Sequence, residues 1–103
     1  MIKLTVLYGH PADPAAFEDY YANTHMPIAL KITGHSRSEA TKFLSAPDGS
    51  QGLYYRMFEF WFETQEAMEA TLSSPEGQAT AADIPNFATG GAIFIVGSVE
   101  EYK

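Results

Sequence analysis

Residues 2 to 8, IKLTVLY, set Ile2, Leu4, Val6 and Tyr8 against Lys3, Thr5 and Leu7. A period of two with β-branched residues predicts a strand. GHPADP interrupts it, and Asp13 followed by Pro14 predicts a helix start. The carboxylate can accept orphan backbone N–H groups, and proline at the first helical position gives up a donor that has no partner there. The period then becomes helical, with Phe17, Tyr20, Tyr21, Thr24 and Ile28 on one side and Glu18, Asp19, Ala22 and Asn23 turned outward. Pro27 is expected to end or kink this helix, because it lacks an N–H and crowds the carbonyl four residues back.

Gly34 breaks the chain before a second strand over 37 to 45, and the turn-rich APDGSQG, 46 to 52, leads into LYYRMFEFWF, 53 to 62. That run carries the strongest β signal in the sequence. Thr64 is placed to cap a helix over TQEAMEATLSS, with Glu66 and Glu69 near the positive end of its dipole. Ser74 and Pro75 start a further short helix that Pro85 interrupts, and the glycine-bounded GGAIFIVGSVE, 90 to 100, predicts a fourth strand. The order β, α, β, β, α, β predicts an α+β, ferredoxin-like domain spanning 1–103, with a four-stranded antiparallel sheet and helices on one face.

The third strand raises a problem for such a sheet. Its two faces are Tyr54, Arg56, Phe58, Phe60, Phe62 and Leu53, Tyr55, Met57, Glu59, Trp61, and both are largely apolar. A face without helices is normally wetted and polar. Leaving Met57 and Trp61 in water would expose an apolar patch of about several hundred square ångströms, the size that marks an interface. A homodimer whose sheets close toward one barrel is the expected solution.

Charge narrows the partners. Thirteen Asp plus Glu against six Lys plus Arg give a formal net charge of −7, which repels a phosphate backbone, so neither nucleic acid nor an anionic membrane is an expected partner. Cysteine is absent, which excludes a disulfide framework and a thiol nucleophile and fits a cytoplasmic protein. No stretch reads as a signal peptide or a membrane span.

Three histidines, His10, His25 and His35, are spaced by 15 and 10 residues, which matches no metal motif, and no bound metal is expected. At about 100° per residue His25 lies about 80° from Phe17 and about 40° from Tyr21, at the margin of the buried stripe. Two roles fit that position. One is a helix-end ring bonded to a backbone carbonyl; the other is a pocket group, with Tyr20 and Tyr21 supplying hydroxyls, that acts as general base or acid. Glu59, between Met57 and Trp61, is expected either to pair with Lys42 or another cation or to have a raised pKa. Tyr55 and Trp61 are candidates to stack on a ligand or to serve as plain core. Asp83 and Asn86 either close a loop over the sheet or cap it.

Together LYGHPADPAAFEDYYANTHMP, TKFL, YYRMFEFWF, SPEG and DIPNFATGG resemble the EthD family, small proteins named from ethyl tert-butyl ether degradation. The likeness runs over nearly the whole chain. It implies a dimeric α+β barrel and a role in bacterial breakdown of alkyl ethers beside a cytochrome P450 system, with an oxidoreductase label common among members. The sequence carries no nicotinamide, flavin or iron–sulfur signature, and no cofactor is expected. Related barrels include cofactor-free monooxygenases, isomerases, cyclases and haem-using enzymes. The pattern F..Y....H.P falls here on Phe17, Tyr20, His25 and Pro27; a second haem ligand has no clear place. The resemblance thus implies a barrel pocket for a small apolar molecule, with His25 and Tyr21 as candidate catalytic groups and Tyr20, Tyr55, Met57, Glu59 and Trp61 as candidate ligand contacts. An enzyme moving a proton on a carbonyl or ether-derived substrate and a non-catalytic carrier serving an oxidative system both remain open.

Overall fold

A computed structural model describes residues 1–103. Strand β1 is Ile2–Tyr8, β2 Arg37–Lys42, β3 Arg56–Phe62 and β4 Ala92–Ser98, paired antiparallel in the order β2-β3-β1-β4. Helix α1 is Pro14–Tyr20, α2 Met26–Ala29, α3 Gln65–Ser73 and α4 Pro75–Asp83; a π turn, Tyr21–His25, joins the first two, and a 3-10 turn, Ile84–Asn86, follows α4. The start signals act as expected. Asp13 Oδ1 accepts from the Ala16 N–H at 3.1 Å, the Thr64 hydroxyl from Ala67 at 3.1 Å and the Ser74 hydroxyl from Gly77 at 3.1 Å.

Strand ends differ from the pattern-based expectation for a tertiary reason. Lys42 is the last residue of β2 in register, opposite Arg56, so the strands expected over 37 to 45 and 53 to 62 pair with each other only over 37 to 42 and 56 to 61. Beyond them 43 to 55 is a connection closed by the Phe43 N–H to Tyr55 carbonyl bond at 3.0 Å. In the same way β4 is no longer than the β1 strand against which it pairs.

The helices lie on one face. There Leu4, Val6, Tyr8, Phe58, Phe60 and Phe62 meet Phe17, Tyr21, Met68, Ile84 and Phe87 in one buried cluster. Each such side chain contributes about 1.5–3 kcal/mol of burial, which makes this layer the main source of stability. The domain measures 37 × 36 × 17 Å, the thickness of one sheet and one helix layer. The other face is therefore uncovered, and β4 lies at the edge with Ile93, Phe94, Ile95 and Val96 all about half exposed.

Pro27 does not end the first helix. The chain stays helical to Ala29, and the Met26 N–H reaches the Tyr21 carbonyl five residues back. A widened turn is what a proline at this place favours, because its ring crowds the Asn23 carbonyl and it has no N–H to offer.

Candidate functional site

The π turn places His25. With i→i+5 bonding each residue advances by less than the usual 100°, so four residues come closer to one full turn and His25 moves into line with Tyr21. Instead of bordering the stripe, His25 is 2 % exposed and Tyr21 4 %, while Thr24, expected on the buried side, is exposed. Their rings stack at 6.0 Å between centroids.

Asp83, the last residue of α4, faces His25 across the helix layer. Its Oδ2 lies 2.9 Å from His25 Nδ1, and its Oδ1 accepts from the Tyr20 hydroxyl at 2.6 Å and the Asn86 amide at 3.0 Å. Burial raises the carboxyl pKa, but the hydrogen bonds from Tyr20, Asn86 and His25 outweigh it and hold Asp83 below the usual carboxylate range. Tyr20 is shifted upward, first by its bond to Asp83 and then by burial. An ionised Asp83 can only accept, so His25 Nδ1 carries a proton and donates it. Nε2 is then the nitrogen left without a protein partner, and the ring lines a small cavity, about 20 Å³, with Tyr8, Phe58, Phe60 and Thr80. That is room for about one water.

Around His25 the walls are aromatic. Phe87 is 4.5 Å from it between ring centroids, stacks on Tyr20 at 5.5 Å, and meets Phe17 edge-on at 5.1 Å and Tyr21 at 5.9 Å. The Tyr21 hydroxyl is buried with no hydrogen-bond partner. Desolvation pushes its pKa up to about 12 against the opposing pull of Arg56, so it stays protonated and is a donor. Burial likewise raises Tyr8.

A second polar group lies at the end of the same layer. Arg56 binds Glu18 through Nε at 2.9 Å and Nη2 at 2.6 Å, and its guanidinium sits 4.7 Å from the Tyr21 ring centroid. The Arg56 hydrogen bond holds the Glu18 pKa down at about 2, against its burial and with help from Tyr55. Tyr55 donates to Glu18 at 3.0 Å and packs edge-on to Phe17 at 5.0 Å, so it lies at the rim of the helix side and not beside Met57 as strand alternation predicts. Its residue precedes β3, where alternation does not yet hold.

The candidate ligand contacts therefore divide between two places. His25, Tyr21 and Tyr20 come together under the helices, with Tyr55 at their rim. Met57, Glu59 and Trp61 lie on the opposite, uncovered face. Glu59 is buried there and pairs with Lys3 at 2.8 Å, not with Lys42, which register places on the helix side and which reaches Glu18 at 3.5 Å. Trp61 lies under Arg37 and Lys3 and walls a shallow depression of about 470 Å³ with Val99. His10 bonds the Gly52 carbonyl at 2.7 Å, and His35 packs edge-on to Phe60, so the three histidines stay apart. No three His, Asp or Glu side chains stand close enough to share a metal ion.

Sequence reasoning left Asp83 with two bland roles and gave Phe87 none. An acid set beside Ile84 at the end of an alanine-rich helix was the one available signal, but no local spacing connects it with a histidine 58 residues away.

The family model of the EthD domain matches residues 9–91. An uncharacterized 11.0 kDa protein from the thcB-thcC intergenic region of Rhodococcus erythropolis is 39% identical over 95 residues, 92% of this chain and 91% of that protein. The crystal structure of an ethyl tert-butyl ether (EthD) family protein from Bacillus halodurans C-125 superimposes with a TM-score of 0.90 at 31% identity, over 97% of this chain and 99% of that one. A dimeric protein of ferredoxin-like fold from Bacteroides fragilis NCTC 9343 matches with a TM-score of 0.68 over 95% of each chain; at 12% identity it shows the fold alone.

Proposed function

Because this chain belongs to the EthD family, we propose that it binds a small apolar molecule against His25 and that His25 exchanges a proton with it, as general base and then acid. The carrying observation is the buried His25–Asp83 pair at 2.9 Å beside an apolar core rich in aromatic rings. Asp83 fixes the tautomer, leaves Nε2 as acceptor and stabilises the imidazolium formed when Nε2 takes a proton. The unpartnered Tyr21 hydroxyl supplies a donor for an oxygen on which negative charge grows. These parts suit proton abstraction beside a carbonyl or phenol, the chemistry of a cofactor-free monooxygenase, an isomerase or a cyclase. The name of one similar protein, an ethyl tert-butyl ether (EthD) family protein, supports a reading in the breakdown of that ether or comparable small compounds. Met57, Glu59 and Trp61 have no place at His25; their face is the one we assign to a second copy, in keeping with the half-exposed β4 and the dimeric relative.

Titration with a panel of small ethers, ketones and phenols, followed by turnover assays on wild type, His25→Ala and His25→Gln, tests this. Loss of turnover with affinity retained supports proton transfer. Weakened binding with no turnover in the parent supports a carrier that hands its cargo to an oxidative system such as a cytochrome P450. Binding and turnover indifferent to both variants remove His25 from the site.

A further inference from the structure

The enclosed space at His25, about 20 Å³, is far too small for any organic substrate, and outside that space the imidazole packs against the phenyl ring of Phe87. On the side of Phe87 away from His25 lies a groove of about 210 Å³, open to solvent, whose walls include Ala12, Ala16, Phe17, Tyr20, Phe87 and Thr89. Phe17, Tyr20 and Phe87 thus belong both to the groove and to the aromatic wall around His25. Removing one ring from between them would join the groove to the histidine.

Phe87 is carried by the chain segment 84–91, which is neither helix interior nor strand. Its backbone is held at the start, where the Phe87 and Ala88 N–H groups bond the Ile84 carbonyl at 3.2 and 3.0 Å. It is held again at the end, where the Gly9 N–H bonds the Gly91 carbonyl at 3.0 Å and Gly90 lies so close to His10 and Gly9 that a Cβ would meet their backbones. Between these anchors one bond crosses to the opposite loop, Ala12 N–H to the Thr89 hydroxyl at 3.0 Å. These bonds hold the backbone at both ends of the segment, so displacing the ring from its buried place calls for rotation about its own side-chain torsions.

We propose that Phe87 is a gate, its ring occupying an aromatic cage at His25, and that the ligand carries an aryl ring with a hydroxyl which enters from this groove and replaces it. This rests on the reading of His25 as a ligand contact. The cage is built for a flat ring: Tyr20 presents a face, while Phe17 and Tyr21 meet it edge-on, the two arrangements that aromatic quadrupoles favour. The hydroxyl is required because Nε2, with Nδ1 committed to Asp83, accepts a hydrogen bond and does not donate one.

An NMR titration of the whole chain with phenol, and with cyclohexanol as a saturated probe of similar size, tests the proposal. Phenol is expected to give saturable shifts at His25 and Phe87 in wild type, with cyclohexanol several-fold weaker. Phe87→Leu keeps the core apolar and removes the ring that must be displaced, so it is expected to bind phenol at least about tenfold more tightly; Phe87→Ala should follow it. Phenol binding in Phe87→Leu or Phe87→Ala with none in wild type makes Phe87 a fixed part of the core and overturns the gate, as does equal affinity in all three. Binding that responds to His25→Gln but not to Phe87→Leu overturns the gate and leaves the proposed site standing. Tightening by Phe87→Leu with no response to His25→Gln keeps the gate and removes His25 from ligand contact.

Discussion

At the scale of single residues Asp83 decides what His25 can do. It collects hydrogen bonds from Tyr20, Asn86 and His25, and those bonds hold its pKa below the usual carboxylate range. A carboxyl whose folded pKa is depressed adds stability that is present above the unfolded value and is lost as pH falls through the folded one. Asp83→Ala leaves the buried His25 Nδ1 and the half-buried Tyr20 hydroxyl without their acceptor, and we expect it to cost about 1–3 kcal/mol at pH 7. The gap between wild type and variant should narrow as pH falls below the ordinary carboxylate value of 3.8, because the unfolded chain then takes up a proton at Asp83 that the hydrogen-bonded folded carboxylate resists. Urea unfolding of both proteins at pH 7 and pH 3 checks this; a gap that widens on acidification would contradict it.

The element that matters most is the single turn Tyr21–His25. Fourfold spacing in an α-helix would leave His25 at the edge of the buried stripe, and the π turn brings it under the helix layer within reach of Asp83. We assign that turn to Pro27. Pro27→Ala restores an N–H that can bond the Asn23 carbonyl and close an ordinary α turn. Hydrogen exchange should then find a newly protected amide at residue 27, and the His25 Nδ1 proton signal should weaken as the ring rotates away from Asp83. An unchanged His25 signal would mean that tertiary packing alone, and not the proline, sets the turn.

For the molecule as a whole the uncovered sheet face is the decisive feature. Leu7, Met57, Ile93 and Ile95 share it, and register sets them side by side across β3, β1 and β4. Helices cover β1 and β3 on the other face, yet Phe94 and Val96 of β4 are half exposed even on that side, so the edge strand is uncovered on both. A second copy packed on this face is the proposed cover. Light scattering after size exclusion should give a mass near twice 11.3 kDa for wild type and near 11.3 kDa for Ile95→Lys, which sets a charge on the uncovered face of the edge strand. A monodisperse wild-type monomer at micromolar concentration would refute the dimer.

Local pattern determined the order of elements, the caps at Asp13, Thr64 and Ser74, and the two-sided apolar character of β3, because each depends on residues within a few positions of one another. The likeness carried by the stretch around His25 was legible for the same reason. Where strands stop was not, since the length of β4 is set by the β1 strand it pairs with and the end of β2 by its register on β3. Nor was the site. Asp83 and Phe87 meet His25 only because the helix layer folds two distant segments onto one sheet face, and Lys3 takes Glu59 from Lys42 because register alternates the faces. Periodicity places a side chain on a face; only the packing of elements that are far apart in sequence chooses its partner, and here the partner is what turns a buried histidine into an acceptor.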